Sequence, residues 1–293
     1  MGSCWTLRPY LLHTRRRKPE PAAHSVDYLT MRRGISTWHL LLGMGLAGYG
    51  LALSFGHLDA LALPWLGLLL IAAVAVHKSS RQDLQITGHL LFIVMTAGLA
   101  LHLLPGFGNA AILQHVRNAP DTVPYSLYLN LDKPLIGLWL LLACPWIVGP
   151  YALRQAAASV PAIALATLAV CLGLAWGAGW IAWAPGLGPA AALWIASNLL
   201  LTCLTEEALF RGYVQGGLTR QGGIAARCAL PASALLFGLA HAPGGWPWIL
   251  LAGVAGLGYG IAYRRGGLAA SVAVHFIVNL AHYGLFSYPM LVR

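Results

Sequence analysis

The chain contains few charged residues and very few acids. Of its 293 residues only 9% are charged, and only eight are Asp or Glu. A soluble domain carries roughly 25% charged residues, so this composition excludes an ordinary soluble protein. After Asp132 the only carboxylates are Glu206 and Glu207, which are adjacent and lie in an apolar stretch.

Other absences exclude further classes of protein. The five cysteines form no CxxC pair, which favours buried, reduced thiols over a redox or structural metal site. There is no HExxH or HxxEH, so the standard zincin arrangement is absent. The net charge of +10 comes from Lys and Arg residues at the ends of apolar runs. That pattern is typical of membrane-protein orientation signals, and we predict no nucleic-acid partner.

Long apolar runs dominate the chain, which is 58% hydrophobic. Runs of about 20 apolar residues are long enough to span a bilayer. They are continuous rather than alternating, which excludes a transmembrane barrel. The sequence predicts an all-α fold, a polytopic transmembrane helical bundle of about eight to nine spans. These spans are predicted at 36–55, 60–77, 85–104, 134–150, 160–183, 189–218, 229–243, 246–263 and 268–288.

The predicted organisation has three parts. Residues 1–33 form a basic, disordered cytoplasmic tail, unless translation starts at Met31 rather than Met1. Residues 34–133 hold N-terminal scaffold helices and a long outer loop, and residues 134–290 form the core. Basic residues recur at the same side of successive spans, which places the N-terminus in the cytoplasm and the C-terminus outside.

The adjacent acids are expected to play different parts. A charged side chain at the centre of a membrane helix costs on the order of 2.5–3.5 kcal/mol, so each acid needs a compensating reason. Glu207 and Arg211 are spaced i,i+4, which predicts a structural ion pair on one helix face. Glu206 points about 100° away and has no such partner. Glu206 is therefore the candidate general base.

Two further polar clusters lie in the last third of the chain. His241 ends the apolar segment FGLAH, and His275 shares a helix face with Asn279 in HFIVN. Together with Glu206 they offer a carboxylate, two imidazoles and a carboxamide, which can activate a water and stabilise an oxyanion. The same Glu and His residues could instead hold a metal ion with an open coordination position.

The segments EEALFR, FGLAH and HFIVN resemble, in order, the motifs EExxxR, FxxxH and HxxxN/D of the CPBP family of intramembrane proteases. This is the CAAX-protease and bacteriocin-processing group, and the resemblance covers roughly residues 134–290. It implies a helical membrane peptidase, glutamate-type or metal-dependent, with its site in a cavity reached from the cytoplasmic side. By that resemblance Glu206 activates water, His241 and His275 position the water or stabilise the oxyanion, and Asn279 supports them.

The expected function is hydrolysis of a peptide bond in a membrane-associated substrate, near its C-terminus or in a leader or sorting peptide. We expect a location in a bacterial inner membrane, with lipid and a peptide or protein substrate as partners. No cofactor is expected, the alternative being zinc held by Glu206, His241 and His275. The alternative function is non-catalytic: a proton-coupled carrier or a bacteriocin immunity factor that uses the same polar cavity.

Overall fold

The computed structural model describes residues 37–148, 153–188 and 190–292. The predicted tail at 1–33, with both candidate start positions, lies outside the described residues. The description below concerns the compact unit Leu42–Arg293, together with the first residues of the helix that leads into it.

The described chain is mostly helical. Six helical segments are long and apolar enough to cross a membrane: Ala60–His77, Gln82–Ala100, Val160–Gly177, Ala191–Gln221, Gly223–Ala240 and Trp246–Leu285. The protein is thus an integral, multi-pass membrane protein, whereas the expected total of eight to nine spans is not confirmed. The helices are α1 (Thr37–Ser54), α2 (Leu63–Lys78), α3 (Gln82–Ala100), α4 (Lys133–Ala143), α5 (Leu153–Gly177), α6 (Ala191–Gln221), α7 (Gly223–Ala240) and α8 (Trp246–Leu285).

Helix α8 consists of two helical halves joined at a glycine pair. Gly266 and Gly267 have non-helical backbone angles, and Gly267 has φ 68° and ψ −161°. That combination is essentially restricted to glycine. The two halves correspond to the separate spans predicted at 246–263 and 268–288, and the observed break at Gly266 and Gly267 lies between these spans, as predicted.

The predicted span at 134–150 is not one continuous helix. Helix α4 ends at Ala143, and Cys144 leaves the helical region with φ −124° and ψ 64°. The residue that follows is Pro145, which disfavours the α conformation in the residue before it. A short 3₁₀ turn, Pro145–Ile147, comes next.

The long connection at 105–133 contains a β-hairpin, an exception to the predicted all-α fold. Strand β1 (Ala110–Val116) pairs antiparallel with strand β2 (Tyr125–Leu129). The C-terminal tail holds the hairpin in place through the bonds Val123 N–H to Met290 O (2.9 Å) and Val292 N–H to Asp121 O (2.8 Å). This connection was expected to be a loop outside the membrane.

The two ends of the bundle differ in charge. The basic end is where α5 and α7 begin and α6 finishes, and the guanidinium of Arg220 lies over the Trp146 ring there. The hairpin end carries β1, β2 and the C-terminal tail. Successive helices place seven cationic residues and one acid, Asp83, at the basic end; the cationic residues are Lys78, Arg81, Arg154, Arg220, Arg227, Arg264 and Arg265. The hairpin end has Arg117 and Lys133 with Asp59, Asp121 and Asp132.

The glycine break in α8 gives a test of the fold. We expect Gly267→Ala to lower the free energy of unfolding by about 1–3 kcal/mol, because alanine is strained at these backbone angles. The matched control is Gly173→Ala, since Gly173 has no atom within 4 Å of an added Cβ and lies inside α5. Thermal unfolding in detergent measures both. Equal unfolding temperatures for the two variants would contradict the assigned conformation.

Candidate active site

Helix α6 carries both acids on a short α-helical turn between two π-helical stretches. The turn is Leu204–Glu207, and the π-helical stretches are Asn198–Cys203 and Ala208–Gln215. Such wide turns are rare and occur frequently at functional sites. In a π-helical stretch the backbone carbonyls are displaced from their normal α-helical partners. One of them, the carbonyl of Phe210, accepts a hydrogen bond from Ser233 Oγ at 2.7 Å.

Glu207 is fully buried and contacts two partners through the same oxygen. Its Oε1 lies 3.2 Å from Arg211 Nη1, and both side chains have 0% exposure. The i,i+4 pair expected from the sequence is therefore present. The same oxygen lies 2.8 Å from His275 Nδ1. Because a carboxylate only accepts hydrogen bonds, Nδ1–H of His275 is the donor.

Arg211 is enclosed by aromatic rings and backbone. Its guanidinium carbon lies 4.2 Å from the centre of the Phe237 ring and 5.2 Å from that of Tyr259. Its Nη2 donates to the Gly256 carbonyl at 3.2 Å. A Cβ at position 256 would lie 3.2 Å from that same Nη2 and 3.1 Å from Ala234 Cα, so glycine permits this close approach. Cation–π contacts and the buried carboxylate together hold the charge.

Glu206 faces a cavity rather than the protein interior. Its side chain is 29% exposed, and its Oε2 lies 3.9 Å from Nε2 of His275. That separation is too long for a direct hydrogen bond. It allows one water molecule to contact both atoms. The acid expected to lack a helical partner is therefore the one that reaches open space.

The other two candidate catalytic residues are held by specific contacts. His241 lies where α7 ends, and its Nδ1 is 2.8 Å from the Phe237 carbonyl. Because a carbonyl accepts, Nδ1–H donates and Nε2 of the neutral ring remains an acceptor. Asn279 Nδ2 lies 3.3 Å from Asn198 Oδ1. The His275 ring stacks on Tyr259, with 4.4 Å between ring centres.

Two cavities meet at these residues. The first, of about 240 Å³, lies among α5, α6 and α8 and is bordered by Glu206, His241, His275 and Asn279. The second, of about 670 Å³, lies between β2, α4 and α6 and also reaches Glu206 and His241. The structure thus brings all four predicted catalytic residues to one cavity. Glu207 and Arg211 lie behind it, outside both linings.

The polar residues of the first cavity that the sequence did not predict include Asn198, Thr202 and His282. His282 follows His275 by seven positions, so it shares the face of α8 that carries His275 and Asn279. The i,i+4,i+7 spacing was a signal that could have found it. Asn198 and Thr202 precede Glu206 by eight and four positions, which is again helical spacing.

The zinc alternative stays a prediction, because metal-binding histidines commonly engage their other ring nitrogen as His241 and His275 do here. Among the described residues, no group of three or more His, Cys, Asp and Glu side chains is placed to hold a metal ion. Nδ1 of His241 and Nδ1 of His275 are both engaged, the first by a carbonyl and the second by Glu207. Only the Nε2 atoms remain as possible ligands.

The cavity lies toward the hairpin end of the bundle. Its lining includes Trp180 and Ile181 after α5, Trp248 near the start of α8, and Met290 in the C-terminal tail. The basic end is on the opposite side. The arginines expected to be cytoplasmic and the cavity expected to be reached from the cytoplasm therefore lie toward opposite ends of the bundle, and the side of access stays a prediction.

The fold and this site define a polytopic membrane protein with an acid–histidine centre between its helices. Residues 188–281 match the family model described as Type II CAAX prenyl endopeptidase Rce1-like. This region of the chain is similar to the Rce1-like CAAX protease family, in agreement with the resemblance drawn from the three motifs. The region includes α6, α7 and most of α8. No curated protein and no solved structure matches the chain.

The adjacent acids are expected to differ in their effect on stability. Glu207→Gln removes the charge that compensates buried Arg211, and breaking a buried pair typically costs about 3–5 kcal/mol. Glu206→Gln alters a side chain that faces the cavity and has no direct hydrogen bond, so little loss is expected. Thermal unfolding of both variants in detergent measures the difference. A larger loss for Glu206→Gln than for Glu207→Gln would contradict the assignment.

Proposed function

We propose that the protein is an intramembrane endopeptidase that hydrolyses a membrane-associated polypeptide with a water activated by Glu206. The observation that carries this proposal is the 3.9 Å separation between Glu206 Oε2 and His275 Nε2 beside an open cavity. Their positions suit a shared water, with an acceptor carboxylate on one side and an imidazole nitrogen on the other.

The reaction needs no covalent enzyme intermediate. The Glu206 carboxylate takes a proton from water while the water oxygen attacks the carbonyl carbon of the substrate. The resulting tetrahedral intermediate carries a negative oxygen. Protonated Glu206 then gives its proton to the departing amide nitrogen, and the C–N bond breaks to yield a carboxylic acid and an amine. One carboxyl group thus acts as base and then as acid.

The histidines and Asn279 support this chemistry in different ways. His241 donates Nδ1–H to the Phe237 carbonyl, and when the ring carries no second proton its Nε2 is an acceptor that can orient the water. When His275 carries both protons, its Nε2–H is a donor for the oxyanion, while Glu207 fixes the ring through Nδ1. Asn279, bonded to Asn198, borders the same cavity. No metal is assigned a role.

The charge asymmetry supports an orientation for this site. With the basic end in the cytoplasm, the N-terminus is cytoplasmic and the cavity opens at the outer face of a bacterial inner membrane. This orientation replaces the cytoplasmic access implied by the family resemblance. It favours leader peptides or C-terminal sorting tails, which are presented outside the cytoplasm, over prenylated C-termini as substrates.

Loss of the proposed base gives the primary activity test. We expect Glu206→Gln to lower kcat by about 10²–10⁴, the usual contribution of a general base. The measurement is mass-spectrometric detection of fragments from synthetic peptides with apolar C-terminal tails, incubated with purified protein. Leu257→Ala, an exposed substitution on α8 outside both cavities, serves as a control with unchanged cleavage.

Three outcomes would contradict the proposed function or its mechanism. Full cleavage by the Glu206→Gln variant would remove Glu206 from the mechanism. Activity lost in chelator and restored by zinc would replace the metal-free reaction with a metal-dependent one. Proton flux in liposomes without any cleavage would instead support the carrier.

Orientation has a separate test, in which single cysteines report which side of the membrane each end faces. The variants are Gln114→Cys on β1 and Arg265→Cys at the basic end, each in a Cys4→Ser, Cys228→Ser background. The remaining cysteines, Cys144, Cys171 and Cys203, are buried. We expect a membrane-impermeant maleimide to label Gln114→Cys in intact cells and Arg265→Cys only after permeabilisation. The reverse pattern would place the cavity on the cytoplasmic side.

A further inference from the structure

Strand β2 has one edge with no strand beside it. The sheet contains two strands in the order β1–β2. In the part of the chain that the structure describes, no backbone hydrogen bond joins residues 125–129 to any element other than β1. Unpaired backbone groups along a strand edge are a template for pairing with another chain.

This strand forms one side of the cavity that reaches Glu206. The second cavity is bordered along β2 by Tyr125, Ser126, Leu127 and Tyr128. The opposite side is formed by the end of α7 and the turn after it, with Ala240, Pro243 and Gly244. Glu206 and His241 lie at the junction with the first cavity. A chain segment in this groove would therefore run along β2 and reach the candidate base.

The hairpin is anchored, so β2 is a fixed surface. The Tyr125 ring is buried and meets the Tyr288 ring edge-on, with 5.1 Å between centres. The Ser126 hydroxyl accepts from the His115 N–H at 3.1 Å, which ties β2 to β1. The tail bond from Val123 to Met290 holds the start of the hairpin's second strand. A preorganised strand loses little entropy on binding.

We propose that the polypeptide substrate binds in extended form as a third strand on the free edge of β2. This rests on the proposed peptidase function and adds the mode of substrate recognition. A helical segment has its amide and carbonyl groups engaged, whereas an extended segment presents them. Strand addition draws its affinity from main-chain hydrogen bonds and leaves sequence preference to the side-chain pockets. The scissile bond then lies where the groove meets Glu206 and His241.

A backbone N-methyl scan tests strand addition without altering the protein. The protein is the full chain carrying Glu206→Gln, so that binding is measured without cleavage. The probe is a fluorescein-labelled synthetic peptide with a Val/Thr-rich half followed by a leucine-rich half, in detergent micelles. Each peptide of the set carries one N-methylated amide, and fluorescence anisotropy gives Kd.

We expect Kd to rise by about 3- to 10-fold at every second amide, with little change at the amides between them. The reason is that alternate N–H groups of a strand point to the same neighbour, and each lost bond has a modest net effect. Uniform effects along the peptide, or none, would overturn the proposal. A second test replaces Gln114, which is exposed on β1 outside the groove, or Tyr128, which borders the groove, with the photocross-linker benzoylphenylalanine. Cross-linking of the probe at position 114 but not at position 128 would also overturn the proposal.

The outcomes separate this proposal from the proposed function. Cleavage by the wild-type chain without the alternating pattern would leave the peptidase intact and remove strand addition. The alternating pattern without any wild-type cleavage would keep the binding mode and remove the peptidase.

Discussion

The site depends on one buried carboxylate. Glu207 has no exposed surface, and its Oε1 contacts both Arg211 and His275. A buried Glu207 carboxylate without Arg211 would be strongly unfavourable, and so would a buried Arg211 guanidinium without Glu207. Aromatic rings and the Gly256 carbonyl complete the surroundings of Arg211. Because Glu207 accepts a hydrogen bond from Nδ1 of His275, the other ring nitrogen is directed toward Glu206.

Glu206 and Glu207 are adjacent and identical, but they have different surroundings because a helix turns by about 100° per residue. One carboxylate points into packed side chains, and the other points into the cavity. The short α turn that carries them lies between two π-helical stretches. The helix break at Gly267 lets the second half of α8 return past α6, which brings His275 and Asn279 to the same cavity. His241 joins them from the end of α7.

Local patterns explain what the sequence could predict. Apolar run lengths indicated the helices, the Glu207–Arg211 spacing indicated their ion pair, and the three motifs indicated the family that residues 188–281 resemble. The contact between Glu207 and His275 joins residues 68 positions apart, and no local spacing encodes it. The β-hairpin was missed because short strands are defined by their partner as much as by their own residues. The position of the cavity toward the hairpin end could be seen only when the helix ends were placed together.

The most direct test of this account is the protonation of His275 Nδ1 in the folded protein. Nitrogen-15 NMR of histidine-labelled protein in lipid nanodiscs measures it, with His275→Gln identifying the signal by subtraction. The account predicts a proton on Nδ1, hydrogen-bonded to Glu207 and perturbed in the Glu207→Gln variant. An Nδ1 without a proton, unaffected by Glu207→Gln, would contradict the buried carboxylate's role in orienting this ring.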